Sequence, residues 1–270
     1  MNKMKLGCYR LNSHKPVLMA DSIQEWVHSI PPVTKFWFLT TGLCSLFVKF
    51  GIIQYEYLYL SAKAIFTKFQ IWRIPSSLLI IPFSSGSAFK FLTDMYFIYN
   101  YSIRLETGAF ASSKSDYLYM LLFNCTIIAI FGLILDVYFC ADALIFSTIY
   151  VWAQLNADEI VNFWFGITLK AKNFPWVLLG VNAILFGSFK LSLMGLLAGH
   201  LYYFLKYIYP RDLNGPQLLG TPQFLKQLFK EEKVERSFKA QAGYAVFAPR
   251  EPESAQHNQS RWGRGRRLDE

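Results

Sequence analysis

The chain lacks most of what would mark a catalytic, metal-binding or secreted protein. Its four cysteines, Cys8, Cys44, Cys125 and Cys140, show neither metal-ligand spacing nor a disulfide framework. Three of them lie in or beside apolar runs, where cysteine acts as a small hydrophobe. No metal site and no cofactor is therefore expected. A cleavable signal peptide is not expected either, because residues 1–20 are basic but lack the apolar core of about 7–15 residues that such a signal needs. Charge is scarce at 17% of residues, and acids are the scarcer sign, 18 against 27 bases.

What is abundant is apolar surface. Apolar residues make up 53% of the chain and aromatics 18%, with 25 phenylalanines, more than one soluble core of this length needs. They fall in long uncharged runs: 13 residues from Phe36 to Val48, 19 from Tyr117 to Leu135, 15 from Ala143 to Ala157, 17 from Asn173 to Phe189 and 15 from Leu191 to Leu205. A spanning helix needs about 20 residues, with a range of about 17–25. Several runs are short by that measure, and hydropathy alone leaves room for a soluble bundle with a very large core. Phe89 to Ile103 is a sixth candidate, since Lys90 and Asp94 stand four residues apart and can neutralise each other on one helical face.

Charge placement orients these spans. Residues 1–20 carry four bases and no acid, residues 21–205 eleven bases against ten acids, and residues 206–270 twelve against eight. The excess at both ends suits two cytosolic termini by the positive-inside rule, and an even number of spans requires both ends on one side. The stretch around Asp136 and Asp142 holds no base, which suits the opposite side. A basic surface can also serve nucleic acid, but no fold suited to it accompanies this tail, so no nucleic-acid partner is expected.

The chain divides into an N-terminal extension over 1–18, ahead of an alternative start at Met19, a membrane domain over 19–209 and a tail over 210–270. Asp21 to Trp26 reads as the start of a short amphipathic helix on the membrane surface, ended by Pro31-Pro32. A long loop over about residues 54–87 carries Trp72-Arg73, a pair that suits a membrane interface, ring at headgroup level and guanidinium within reach of phosphates. The polar groups within the spans, Asp94, Asn100, Asn124, Gln154, Asn156 and Asn182, are expected to hydrogen-bond between helices or to line a cavity. From Pro210 onward Pro, Gly, Lys and Glu replace the apolar runs, and the tail reads as largely disordered. Near its end Trp262-Gly263-Arg264-Gly265-Arg266-Arg267-Leu268 mixes one aromatic and one leucine with glycines and arginines, a pattern no buried element tolerates and an exposed docking peptide does.

That peptide resembles the SHP box by which cofactors dock on the N domain of the valosin-containing AAA ATPase, with Trp262, Gly263, Gly265 and Leu268 as the matched positions. Phe69 to Arg73, Arg104-Leu105-Glu106-Thr107-Gly108-Ala109-Phe110, Tyr150-Val151-Trp152-Ala153-Gln154-Leu155-Asn156, Phe163-Trp164-Phe165-Gly166, Gly199-His200-Leu201-Tyr202 and Thr221-Pro222-Gln223-Phe224-Leu225 together resemble the Derlin family, in order from about Met19 to Leu268. The resemblance implies an all-α membrane protein, a six-span rhomboid-like helical bundle with a disordered cytosolic tail, resident in the endoplasmic reticulum membrane. It implies a part in moving misfolded proteins to the cytosol for ubiquitin-dependent degradation. The expected partners are the ATPase, an endoplasmic reticulum ubiquitin-ligase complex, misfolded substrates, membrane lipids and further copies of the chain.

Rhomboid proteases pair a serine in a Gly-x-Ser-Gly setting with a histidine on the sixth span, because serine needs a neighbour to take its proton. No Gly-x-Ser-Gly occurs here, and Ser147 in the fourth span is flanked by Phe146 and Thr148. The rhomboid histidine stands three residues before the first glycine of a Gly-xxx-Gly pair. Here that pair is Gly195 and Gly199, and the position holds Ser192, which leaves His200 on the wrong turn and Gly195 and Gly199 as a close-packing site. No catalytic residue is assigned. A non-catalytic extraction factor is the reading taken; the rivals are an active intramembrane serine protease and a membrane tether for the ATPase that handles no substrate.

Overall fold

A computed structural model describes residues 19–82, 88–162, 166 and 168–229. Among these the architecture is all-α apart from one small hairpin. In chain order the helices are α1 (Met19–Ser29), α2 (Pro32–Lys49), α3 (Ala62–Lys68), α4 (Arg73–Leu79), α5 (Ala88–Arg104), α6 (Lys114–Ile134), α7 (Ala141–Leu155), α8 (Phe174–Phe186), α9 (Phe189–Tyr203), α10 (Tyr209–Asp212) and α11 (Gln223–Leu228). Strands β1 (Ile160–Asn162) and β2 (Thr168–Lys170) pair antiparallel between α7 and α8. Helices α2, α5, α6, α7, α8 and α9 coincide with the six apolar runs. Among the described residues α6 alone is, by length and composition, long and apolar enough to cross a membrane unaided, with a mean hydropathy of 2.1; the segments holding α7 and α8 are shorter apolar helices.

Helix α7 is the centre of the bundle, buried at every position from Ala141 to Ala153. A helix apolar all round has no solvent face to offer, so its neighbours must enclose it; α9, α5, α6 and α8 all pack against it. The closest seam is with α9. A Cβ built on Gly195 would stand 2.2 Å from the Ala143 carbonyl oxygen, and one on Gly199 2.7 Å from that of Ser147. Two glycines one turn apart thus let α9 lie directly on the α7 backbone, the means by which membrane helices gain contact where no hydrophobic effect drives them together.

Three differences from the sequence expectations have physical causes. The long loop over 54–87 is not irregular throughout: it folds into α3, capped by Ser61 accepting from the Ala64 amide, and α4. The helix begun by α9 does not end near Lys206. It continues through a π turn at Phe204–Ile208 into α10, so its uncharged stretch is short but the helix is not. The packed body also runs past Pro210: Leu219 and Leu225 are buried, Lys206 Nζ donates to the Leu219 carbonyl at 2.8 Å, and Thr221 Oγ1 donates to the Asp116 carboxylate in the first turn of α6. The remainder of the expected tail, with its docking peptide, lies outside the described residues.

Candidate functional site

At the end of the bundle where α2 begins, one carboxylate organises three helices. Helix α2 opens on Pro31-Pro32, and Pro31 offers no side-chain cap. A π turn over Leu105–Ala109 extends α5 and brings Glu106 inward, buried. Its carboxylate accepts from Val33 N at 3.1 Å, Thr34 N at 2.8 Å and Thr34 Oγ1 at 2.7 Å, an acid placed where the helix dipole favours negative charge. The rest of the network follows from proton counting. Thr34 gives its one proton to Glu106, so it accepts from Ser102 at 2.7 Å, and Ser102 in turn accepts from Tyr117 at 2.5 Å. Nearby, Arg104 pairs with Glu159 at 2.8 Å and lies over the Trp152 ring at 5.4 Å, while Tyr101 packs edge-on to Trp152 and stacks on Phe174 of α8. Residues quoted from two separate sequence motifs, Arg104 and Glu106 of one and Trp152 of the other, therefore share this end. Nothing in the sequence pattern marked Glu106 as a cap; a lone acid just past an apolar run was the available signal.

The opposite end carries the charges that fall within the apolar helices. Lys90 of α5 bridges Asp94 at 2.7 Å and Asp142 of α7 at 2.9 Å and sits 5.4 Å from the Phe186 ring of α8. The i,i+4 pairing was legible, whereas Asp142 joins it only through the tertiary fold. Trp72 is 54% exposed, as an interfacial ring would be, but Arg73 is only 6% exposed. Its Nε donates to Gln70 Oε1 at 2.7 Å, one terminal nitrogen donates to the carbonyls of Glu56 and Tyr59, and the guanidinium lies over the Tyr59 ring. This corrects the expectation that Arg73 faces lipid phosphates: three backbone and side-chain acceptors turn it inward, where it pins the loop from beneath. Phe69, left-handed with φ 51°, turns the chain between α3 and α4 and leaves Phe69, Ile71 and Trp72 outward.

The seam where a rhomboid-type protease would do chemistry is occupied by structural bonds. Ser147 Oγ donates to the Leu144 carbonyl of its own helix at 2.8 Å. His200 Nδ1 bonds Tyr150 Oη at 2.7 Å across α7 and α9. Ser192, in the position where the resemblance puts a histidine, accepts from Asn182 Nδ2 at 3.1 Å. No hydrogen bond joins Ser147 to His200 among the described residues. The amides on the apolar helices divide unevenly. Asn182 does bond between helices, but Asn100 and Asn156 return to carbonyls four residues back on their own helices. Asn124, fully buried on α6, has no partner for either amide atom among the described residues. Trp262, Gly263, Gly265 and Leu268 lie outside them.

The Der1-like family model matches residues 30–223, which takes in the whole bundle from α2 to the start of α11. The chain belongs to this family. It is 44% identical over 252 residues to Derlin-1 of Homo sapiens and equally to that of Pongo abelii, covering 93% of this chain and 99% of each relative. Derlin-1 of Drosophila melanogaster is 40% identical over 243 residues, 90% of this chain and 97% of the relative. The family is one of helical membrane proteins, in keeping with the all-α fold and with a surface that leaves Phe36, Leu92, Ile134 and Ile184 exposed.

Proposed function

We propose that this protein is a non-catalytic component of endoplasmic reticulum-associated degradation, which helps misfolded polypeptides cross to the cytosol. The bundle of residues 19–209 spans the membrane six times with both termini cytosolic, and the tail recruits the valosin-containing AAA ATPase that supplies force. The observation that carries the non-catalytic half is the α7–α9 seam. A serine that gives its proton to its own helix, with Ser192 in the base's place, has no neighbour to activate it.

For substrate passage the support is the length of α8. With the 3-10 turn ahead of it the helix runs Ala171–Phe186, which makes about 24 Å at about 1.5 Å per residue, against a hydrocarbon core of about 27 Å in this membrane. Ile184 at 84% exposure, with Leu185 and Trp176, faces outward, so the mismatch of about 3 Å falls on lipid and thins the bilayer beside it. The α9 segment, which continues past Lys206, contributes less to this than its uncharged length implied. In the tail, Trp262 and Leu268 fill apolar pockets on the ATPase, Gly263 and Gly265 allow close approach, and the arginines add attraction. Truncating a buried aromatic anchor costs about 2 kcal/mol or more, so Trp262→Ala weakens binding roughly thirtyfold.

Photo-crosslinking discriminates this reading from a bare tether. A photoreactive residue at Trp72 or Ile184 is expected to capture a misfolded luminal substrate stalled by ATPase inhibition. Capture of the ATPase alone, with no substrate adduct from either position, supports the tether. Cleaved substrate that disappears in Ser147→Ala supports the protease.

A further inference from the structure

Beside α6, at the end where it meets the turn to α7, the bundle leaves an open groove of about 310 Å³. Phe131, Ile134 and Leu135 form one wall, and Leu193 and Leu197 of α9 the other, with Lys190 at the end. Membrane helices meet through small residues that let backbones approach. No glycine, alanine or serine lines this groove; α9 spends its two glycines on the α7 seam instead. The walls are therefore shaped for a slender, flexible chain rather than for another helix.

The cation gives that chain a headgroup. Lys190 Nζ donates one proton to the Leu135 carbonyl at 2.9 Å, leaving two of its three donors. It forms no ion pair among the described residues. Asp136, one residue beyond Leu135 and exposed, is the nearest acid along the chain and does not engage it. An ammonium anchored at the mouth of an apolar groove, at the level where a span ends, matches a phosphate over an acyl chain. A second groove of about 250 Å³ lies toward the other end of α6, between Tyr119, Leu122 and Phe123 and the Pro222–Leu225 segment, and no base lines it.

We propose that the Lys190 groove is a binding site for one membrane glycerophospholipid, its acyl chain between α6 and α9 and its phosphate on Lys190. The proposal rests on the reading that these helices cross the bilayer.

The test uses the full chain in phosphatidylcholine liposomes containing phosphatidylglycerol, an anionic glycerophospholipid, that carries a photoreactive diazirine in one acyl chain. Adducts are expected to concentrate on peptides holding Phe131–Leu135 and Leu193–Leu197. Lys190→Gln keeps an N–H for the Leu135 carbonyl but removes the charge. One lysine near the surface is worth about 1 kcal/mol toward an anionic headgroup, so adduct yield falls about fivefold, while Lys190→Arg retains it and Leu197→Trp, which fills the groove, abolishes it. Three results overturn the site: yield unchanged by Lys190→Gln, adducts spread equally over the exposed α8 residue Ile184, or Leu193→Cys crosslinking two copies of the chain in place of lipid. A wild-type chain extracted from membranes by alkali sinks the bilayer reading itself, and is read out separately.

Discussion

Adding a single methyl group to Gly195 is the sharpest test of the α7–α9 seam. The new Cβ stands 2.2 Å from the Ala143 carbonyl oxygen and 2.6 Å from Phe146 Cβ. A carbon and a carbonyl oxygen rest at about 3.3–3.6 Å, so α9 must retreat by about 1 Å or the α7 backbone must bend. A gap of that size forfeits a quarter to a half of the dispersion energy along the seam, and overpacking costs about 1–3 kcal/mol. The same retreat stretches the Tyr150–His200 bond from 2.7 Å beyond hydrogen-bonding range, about 1 kcal/mol more. Gly195→Ala is thus expected to lose about 2–4 kcal/mol in detergent micelles, followed by the fluorescence of Trp152, which is buried beside the seam. Gly180→Ala on α8 is the matched control, because nothing stands within 4 Å of its added Cβ. There alanine replaces glycine in a helix at a gain of about 1 kcal/mol. Gly195→Ala as stable as Gly180→Ala would refute the account of how α9 is seated.

Three further outcomes are expected. Glu106→Ala leaves two backbone amides and one hydroxyl without their acceptor in a buried site and costs about 3 kcal/mol, measured by the same melt; an unshifted transition removes Glu106 as the α2 cap. Burial, with Asp142 close by, pushes the Cys140 thiol up from 9.0 to about 12. In a background with the other three cysteines changed to serine, native-state alkylation therefore stays slow at pH 8. A folded thiol that holds its proton more tightly than the unfolded one contributes stability below pH 9 that is lost as pH rises from 9.0 to about 12; rapid labelling at pH 8 without unfolding contradicts this. Asn258-Gln259-Ser260 is a glycosylation acceptor that a cytosolic tail leaves unmodified, and a glycosidase-sensitive mass shift at Asn258 overturns the orientation.

The six long helices were legible because each is an apolar run bounded by charge, and one run needs no knowledge of its neighbours. Gly195 and Gly199 were legible too, since two small residues at i,i+4 have few other uses within a span. What could not be read were pairings between distant elements. Glu106 with Val33 and Thr34, Asp142 with Lys90, and Thr221 with Asp116 join segments from about 50 to more than 100 residues apart, and a side-chain period carries no such information. Arg73 shows the opposite failure. Beside an exposed tryptophan, an arginine reads as a surface cation, yet the acceptors that bury it belong to Glu56 and Tyr59, in a loop with no periodicity to place them.

The central claim is that the bundle engages substrate without cutting it and the tail brings the pulling force. The half-life of a misfolded luminal glycoprotein tests it most directly, in cells whose only copy of this protein is wild type, Ser147→Ala, or a Trp262→Ala, Leu268→Ala double variant. Ser147→Ala is expected to clear the reporter at the wild-type rate. The double variant is expected to lengthen the half-life toward that of cells lacking the protein while the bundle still crosslinks to the reporter. Normal clearance by the double variant, or clearance lost in Ser147→Ala, would contradict the account.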